Sequence, residues 1–245
     1  MKPTARFRRD RAPILAFGAH PDDVEFGCGG IVAREASGGR PAHLVVCSRG
    51  ESGSNGTPAV RTAEARRAAS LLGATIEFIR LDGDAKLEVK AAHALRLAAI
   101  IRRVRPGLVL APTLEEGQHP DHWRLGRLVR DAVRLARYGG VAELRRLKPH
   151  AAGALLLYSV GPGAEPAGVP PLLVDISAQG VFGAWKASME AHASQLKTRN
   201  YVDLQVARAR VLGLSAGAQY AQALYLCEAV VLGSLEALAR PARRG

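Results

Sequence analysis

Short apolar runs alternate with longer segments of helical spacing along the first half of the chain. The runs rich in valine, isoleucine and leucine predict strands at 13–18, 42–47, 75–80 and 107–112, and the segments of helical period predict helices at 28–37, 60–72, 88–104 and 122–137. Repeated strand–helix units are typical of a parallel sheet, because each crossover helix packs back against the sheet that it connects. The pattern therefore predicts an α/β fold, a Rossmann-like parallel sheet flanked by helices on both faces.

The second half of the chain extends this sheet and then becomes helical. The apolar runs 154–160 and 172–176 predict further strands, and the proline- and glycine-rich segment 161–171 between them predicts a loop. Roughly the last 65 residues, including the apolar stretch 223–232, predict mainly helices. No internal repeat is visible, so we expect a single domain over residues 1–245.

Length, cysteine content and hydropathy limit the class of protein. A chain of 245 residues is long enough to bury one large hydrophobic core. Its three cysteines are too few and too scattered for a disulfide framework, which favours a reducing compartment. The apolar stretch 14–17 is too short for a signal-peptide core, and no run approaches the roughly 20 apolar residues of a membrane span. We therefore expect a cytoplasmic protein with no membrane partner.

The net charge of +12 suggests a nucleic-acid partner as one hypothesis. The distribution of the positive charge along the chain tests that hypothesis. Much of the positive charge lies in the terminal segments 6–11 and 240–244, and the remainder is spread along predicted helices. Only 5% of residues are aromatic, and no helix-turn-helix or zinc-finger spacing is present. We therefore expect no nucleic-acid partner and interpret the basic surface as an attraction for a small anionic substrate.

Histidines and carboxylates are concentrated directly after two of the predicted strands. His20, Asp22 and Asp23 follow the first strand, and the segment 113–122, which carries two histidines, follows the fourth. In open α/β sheets ligands bind beyond the carboxyl ends of the strands. The sequence therefore predicts that these two loops form one site.

A set of two histidines and one carboxylate suits a catalytic zinc ion, which keeps a fourth position for water. His20, Asp23 and His122 would supply that set, leaving Asp22 free to take a proton from water and His119 free to face the substrate. Iron, manganese or cobalt would accept the same donors, so another divalent metal is an alternative. These residues also have a purely structural interpretation. Asp22 or Asp23 would cap a helix, and His119 with Pro120 would begin one.

AlaHisProAspAsp at 19–23 and HisProAspHis at 119–122 together resemble the paired signature of the LmbE-like, PIG-L zinc deacetylase family. The segments that are similar to the bacillithiol-biosynthesis branch of this family are 50–61, 174–177, 192–195 and 200–213. The resemblance covers nearly the whole chain. It implies a single LmbE-like hydrolase domain that removes the acetyl group from an N-acetylglucosamine conjugate, with N-acetylglucosaminyl malate as the substrate of this branch.

The resemblance also implies a role for each residue of the two motifs. The residues that match the family's zinc ligands are His20, Asp23 and His122. Asp22 matches the general base, and His119 matches the histidine that stabilises the oxyanion or protonates the amine, with Asp121 as an orienting partner. Relatives in this family often assemble as hexamers, so the resemblance implies a homo-oligomer; a monomer that packs the apolar stretch 223–232 inside itself is the alternative.

Two other functions stay open at this point. A deacetylase acting on another amino-sugar amide, such as chitobiose, a mycothiol precursor or an antibiotic precursor, would share every metal residue. A non-enzymatic binder of anions or nucleic acid would instead use the basic termini, and its binding would be salt-sensitive and survive chelation.

Arg61 is the candidate for substrate binding outside the metal site. It follows the AsnGly turn at 55–56, and its guanidinium would grip a malate carboxylate through two parallel hydrogen bonds. The alternative is a solvated helix residue that pairs with Glu64. Glu25 is expected in the first turn of a helix, where the dipole favours a carboxylate, and His192 has no assigned role.

Overall fold

A seven-stranded sheet forms the centre of the protein in the computed structural model, which describes residues 11–234. The strands are β1 (Ile14–Gly18), β2 (Ala42–Val46), β3 (Thr75–Phe78), β4 (Leu108–Pro112), β5 (Ala154–Tyr158), β6 (Leu172–Asp175) and β7 (Ala221–Leu226). They lie in the order β3-β2-β1-β4-β5-β7-β6. The first five strands are parallel, whereas β7 runs antiparallel to both β5 and β6.

Helices cover both faces of this sheet. They are α1 (Asp23–Ser37), α2 (Pro58–Leu71), α3 (Ala91–Val104), α4 (Pro120–Arg137), α5 (Gln179–Glu190) and α6 (Tyr201–Ser215), with short 3₁₀ turns at Ala142–Leu144 and Gln195–Lys197. Residues of α1, α2, α5 and α6 pack into one core, and residues of α3 and α4 pack into the other. The predicted α/β class, with helices on both faces of the sheet, is confirmed, and the sheet is mostly parallel because β7 alone runs against its neighbours.

Strand β1 illustrates why the apolar runs in this sequence are continuous rather than alternating. Ile14 and Ala16 face the core on one side of the sheet, and Leu15 and Phe17 face the core on the other. All four side chains are buried. A strand covered by helices on both faces requires apolar residues at every position, which is the pattern of a parallel sheet.

Two elements differ from the sequence prediction. Helix α1 begins at Asp23 rather than near residue 28, and Cys28, with φ −148°, interrupts its helical geometry where the helix start was expected. The glycines there permit close packing, since a Cβ on Gly27 would collide with the ring of Tyr158. The stretch 223–232, predicted as helical, contributes to strand β7, because a short apolar run buried on a sheet is not distinguishable from a buried helix by composition.

The expected solvated tails at 6–11 and 240–244 lie outside the described residues except for Arg11. Within residues 11–234, no helix has the length and apolar content needed to cross a bilayer.

Candidate active site

The two histidine motifs lie side by side because the strands that precede them are neighbours. Strand β1 pairs in parallel with β4, with Ala16 opposite Leu110, so both strands end at the same edge of the sheet. The loop after β1 carries the first motif, and the loop after β4 leads into α4 with the second. The expectation that these loops meet at one edge agrees with this pairing.

Three atoms of the predicted ligand residues form a compact triangle at this edge. His20 Nδ1 lies 3.3 Å from His122 Nε2, which lies 3.1 Å from Asp23 Oδ1, and Asp23 Oδ1 lies 3.6 Å from His20 Nδ1. Zinc ligands at bond lengths of about 2.0–2.1 Å in tetrahedral geometry lie about 3.3 Å apart. The three atoms therefore have the spacing that a single divalent metal ion requires.

Hydrogen bonds to the protein fix the orientation of Asp23. Its Oδ2 accepts from the backbone nitrogens of Ala19, at 2.7 Å, and His20, at 2.9 Å, which leaves Oδ1 directed at the two imidazoles. Burial alone would raise the pKa of Asp23, but His122 and His20 beside it hold that pKa well below its usual value. Asp23 is therefore ionised, the form in which a carboxylate binds metal.

Two buried carboxylates hold the other nitrogen of His20. Its Nε2 lies 3.0 Å from Asp84 Oδ1 and 3.2 Å from Asp121 Oδ2. A carboxylate on the far nitrogen fixes the ring and makes the metal-facing nitrogen a better donor. Sequence reasoning missed Asp84, although it lies in the loop after β3, and an acidic residue following a third parallel strand was an available signal.

The structure corrects the role expected for Asp121. Its carboxylate does not orient His119, because Oδ2 contacts His20 and accepts from the backbone nitrogen of Ala85 at 2.8 Å. The contact with His119 is made by the backbone instead: the Asp121 nitrogen donates to His119 Nδ1 at 3.2 Å. The carboxylate of Asp121 is instead held by His20 and by the loop after β3, where the backbone nitrogens of Ala85 and Leu87 donate to it.

His119 is both a helix cap and a cavity residue. Its Nδ1 accepts from the first turn of α4, so in the neutral ring the proton is on Nε2. Burial and the neighbouring His20 lower the pKa of His119. The structural interpretation of HisPro as a helix start is therefore correct and leaves an N–H donor available.

Asp22 occupies a strained backbone conformation beside the triangle. It has φ 113° and ψ −24°, and although it is the N-cap residue of α1, its side chain makes no capping hydrogen bond. Its Oδ2 lies 3.3 Å from Arg61 Nη2. Burial raises the pKa of Asp22 to about 6, against the opposing influence of His192 and Arg61. The side chain is thus not used as a cap, and strain of this kind is concentrated at functional sites.

These residues open into one cavity of about 510 Å³. Its lining includes Asp22, Asp23, His119 and His122, together with polar residues from α6 and the segment before it. Apart from Asp121 and Arg61, the candidate site residues all lie at or beside the triangle. Of these five residues, all except His20 line the cavity.

Arg61 lies behind the site rather than in the cavity. Its guanidinium is buried, donating to the carbonyl oxygen of Pro21 at 3.0 Å and contacting Asp22. Its expected solvent-exposed partner Glu64 instead accepts from the Ser194 nitrogen at 2.8 Å. Neither the substrate-anchor nor the solvated-pair interpretation describes this side chain, because the loop after β2 folds over α2 and encloses it.

Glu25 and His192 form a buried pair that the sequence did not predict. Glu25 lies in the first turn of α1, as expected, but it is buried, and its Oε1 lies 3.4 Å from His192 Nε2. Burial disfavours the imidazolium, yet the negative charges of Glu25 and, farther away, Asp22 raise the pKa of His192 overall. This pair fixes the segment after α5 against the start of α1.

Residues 15–133 match the PIG-L family model, described as GlcNAc-PI de-N-acetylase. A 4-oxalmesaconate hydratase from Pseudomonas putida is 33% identical over 138 residues, covering 51% of this chain and 53% of the hydratase. A probable N-acetyl-alpha-D-glucosaminyl L-malate deacetylase 2 from Bacillus cereus is 30% identical over 134 residues, covering 49% of this chain and 60% of that protein. The matches thus span about half of the length of these curated relatives.

The conserved protein TT1542 from Thermus thermophilus has the same fold over its whole length. Its crystal structure aligns with a TM-score of 0.80 and 31% identity, covering 96% of this chain and 100% of that chain. Both histidine motifs lie inside the segment that the family model matches. From these two findings together, the chain belongs to the PIG-L family.

Proposed function

We propose that this protein is a metal-dependent hydrolase that removes the N-acetyl group from an N-acetylglucosamine conjugate. The observation that carries the proposal is the triangle of His20 Nδ1, Asp23 Oδ1 and His122 Nε2, with sides of 3.1 to 3.6 Å, at the wall of a cavity that also contains Asp22 and His119. Membership of a family described by a de-N-acetylase supports the reaction type.

The donor set of two imidazoles and one carboxylate fits zinc, and also iron, manganese or cobalt. We propose His20, Asp23 and His122 as the residues that hold the ion. When bound, such an ion supplies Lewis-acid chemistry, increasing the acidity of water and polarising a carbonyl group.

Asp22 is the proposed general base. Its carboxylate lines the cavity next to Asp23 and contacts Arg61 through Oδ2, and because it is not one of the three proposed metal ligands it can act as a proton acceptor. A pKa of about 6 leaves it mostly ionised at neutral pH and close to the value that favours proton transfer there. Arg61 limits the mobility of this carboxylate.

His119 is the proposed oxyanion donor. With Nδ1 occupied by the backbone of α4, its Nε2–H is the group available to the cavity, and a lowered pKa keeps the ring neutral at pH 7. A neutral N–H directed at a developing negative charge stabilises a tetrahedral intermediate. The proton that Asp22 accepts from water would then pass to the departing amine, so His119 keeps its proton and stays neutral throughout.

For the substrate we propose N-acetylglucosaminyl malate. The similarity to a probable N-acetyl-alpha-D-glucosaminyl L-malate deacetylase and the net charge of +12, which favours an acidic ligand, support this choice. Another amino-sugar amide is the alternative, because the metal residues would be the same. Assembly into a hexamer, cytoplasmic location and the lack of a nucleic-acid partner stay predictions.

The test is a panel of N-acetylglucosaminides assayed for free amine with the zinc-loaded protein. The proposal expects amine release that a chelator abolishes and added zinc restores. No amine from any glycoside would overturn it, and hydration of 4-oxalmesaconate by the same preparation would indicate the activity of the hydratase relative instead.

A further inference from the structure

The cavity extends well beyond the proposed catalytic residues. Part of its wall is formed by the loops after β1 and β4, with Asp23, His122 and His119, and another part by Gln195, Arg199 and Tyr201 at and before the start of α6. A substrate with its acetamide at the triangle would therefore place its remaining part against this second group of residues. The second group is in a position to select the aglycone.

Arg199 is the one arginine or lysine among the described residues that line the cavity. Its side chain is exposed, and its guanidinium carbon lies 5.4 Å from the centre of the Tyr201 ring. A cation over an aromatic face is held there by the ring's negative potential while its N–H groups stay free at the edge. The guanidinium is therefore oriented by Tyr201 without using its donors.

The other arginines close to the cavity are already engaged. Arg61 donates to Pro21 and Asp22 behind the site, and Arg208 donates to Glu165 at 2.6 Å. By contrast, in the described part of the chain no carboxylate lies within ion-pair distance of Arg199. Arg199 thus presents an uncompensated positive charge with unused donors to the cavity.

We propose that Arg199 binds an oxyanion, a carboxylate or a phosphate, on the aglycone of the amino-sugar conjugate and thereby gives the enzyme its preference for acidic substrates. This inference rests on the proposed deacetylase function. It assigns to Arg199 the anion-binding role that the sequence suggested for Arg61. The planar fork of the guanidinium matches either oxyanion through two parallel hydrogen bonds, which a lysine does not reproduce.

The test compares zinc-loaded wild type with Arg199→Gln, Arg199→Lys and a matched control, Arg210→Gln. Arg210 lies in α6 with its guanidinium 5.6 Å from the Tyr220 ring, but it is not in the cavity lining. Three probes are used: the malate glycoside of N-acetylglucosamine, N-acetylglucosamine 1-phosphate, and the uncharged methyl glycoside.

Arg199→Gln is expected to raise KM for an acidic probe roughly 10-fold or more, the size of one hydrogen bond to a charged group, with kcat nearly unchanged. The methyl glycoside should change less than about twofold, Arg199→Lys should recover only part of the loss, and Arg210→Gln should behave as wild type. A loss confined to the malate or to the phosphate probe identifies which oxyanion is bound.

Equal losses on charged and uncharged probes, or no loss on either acidic probe, would overturn the assignment of Arg199 while leaving the deacetylase function intact. Failure of the wild type to release amine from all three probes has a different meaning. It would overturn the proposed function and the role of Arg199 within it.

Discussion

Asp22 is the residue whose backbone and side chain are both unusual. Its φ of 113° is a conformation that non-glycine residues rarely adopt, and its carboxylate is largely but not fully buried beside Asp23. A residue kept in a strained conformation needs support from its surroundings, which Arg61 supplies through the carboxylate and through the carbonyl oxygen of Pro21. In this conformation the Asp22 side chain does not cap α1 but contacts Arg61 and forms part of the cavity wall.

Replacing Asp22 with asparagine should lower kcat by about 10²-fold or more, the usual scale for losing a general base. Zinc content should stay at one equivalent, because the three proposed ligands are untouched. Turnover measured alongside metal analysis tests both halves of the expectation. Wild-type turnover in this variant would remove Asp22 from the proposed mechanism.

Replacing Arg61 should affect charged and uncharged substrates alike, whereas replacing Arg199 should affect mainly the acidic ones. Arg61→Gln removes a buried cation from Asp22 and Pro21, so it should cost about 3 kcal/mol of unfolding free energy, the scale for breaking a buried pair. It should also slow amine release from charged and uncharged substrates equally, because it acts through Asp22. Denaturant unfolding and the two-substrate assay measure this, and a loss on the acidic substrate alone would return Arg61 to the role of carboxylate anchor.

At the scale of elements, the segment between α5 and α6 contacts both α1 and α2. His192 pairs with Glu25 of α1, Ser194 binds Glu64 of α2 through both its nitrogen and its hydroxyl, and Gln195 donates to the carbonyl oxygen of Asn55. The first turn of α1, and with it Asp22, is therefore held in place by the segment between α5 and α6, about 170 residues away in the sequence.

The buried His192 makes stability depend on pH. Burial works against its charged form, but Glu25, Asp22 and Glu64 raise the pKa of His192 in the folded state above its unfolded value near 6.5. A raised folded-state pKa means that the stabilisation is fully present below about pH 6.5 and is lost as the pH rises through the folded-state pKa. The unfolding free energy of wild type relative to His192→Gln should therefore decrease above about pH 6.5.

Chemical denaturation at several pH values between about 6 and 8.5 measures this difference. Glu25→Gln is the control, because removing the negative charge beside His192 should flatten the same pH dependence. A difference between wild type and His192→Gln that does not change over this range would contradict the ion pair.

At the scale of the whole molecule, a metal ion at the triangle would tie together parts of the chain that are about 100 residues apart. His20 and Asp23 come from the loop after β1 and the start of α1, and His122 comes from α4. A ligand that binds only the folded state stabilises it by about 2.7 kcal/mol at 100 times its Kd. For a chain of 245 residues this corresponds to a rise in melting temperature of roughly 5–10 °C.

Thermal unfolding with and without zinc checks this rise, and His122→Ala should abolish both the rise and stoichiometric zinc binding. Retention of one tightly bound zinc by His122→Ala would show that the ligand set is different. Chelation of the wild type should reverse the rise and stop amine release together.

The sequence by itself determined the layered α/β fold and the two loops that form the site. Both follow from local patterns: the apolar runs specify buried strands, parallel pairing brings the carboxyl ends of β1 and β4 to one edge, and both motifs lie at those ends. His20, Asp23 and His122 could therefore be grouped in advance, because each is positioned by the strand or helix next to it.

Only the tertiary structure decided which side chains contact one another around that group. The Asp121 carboxylate contacts His20, Arg61 is buried behind Asp22, and Glu25 pairs with His192. Each of these contacts joins segments separated by about 40 to 170 residues in the sequence, and it depends on how loops fold over one another. Spacing along a chain specifies the elements, but the direction of a buried polar side chain is set by the partner that offsets its lost hydration, and that partner is known only once the loops have packed.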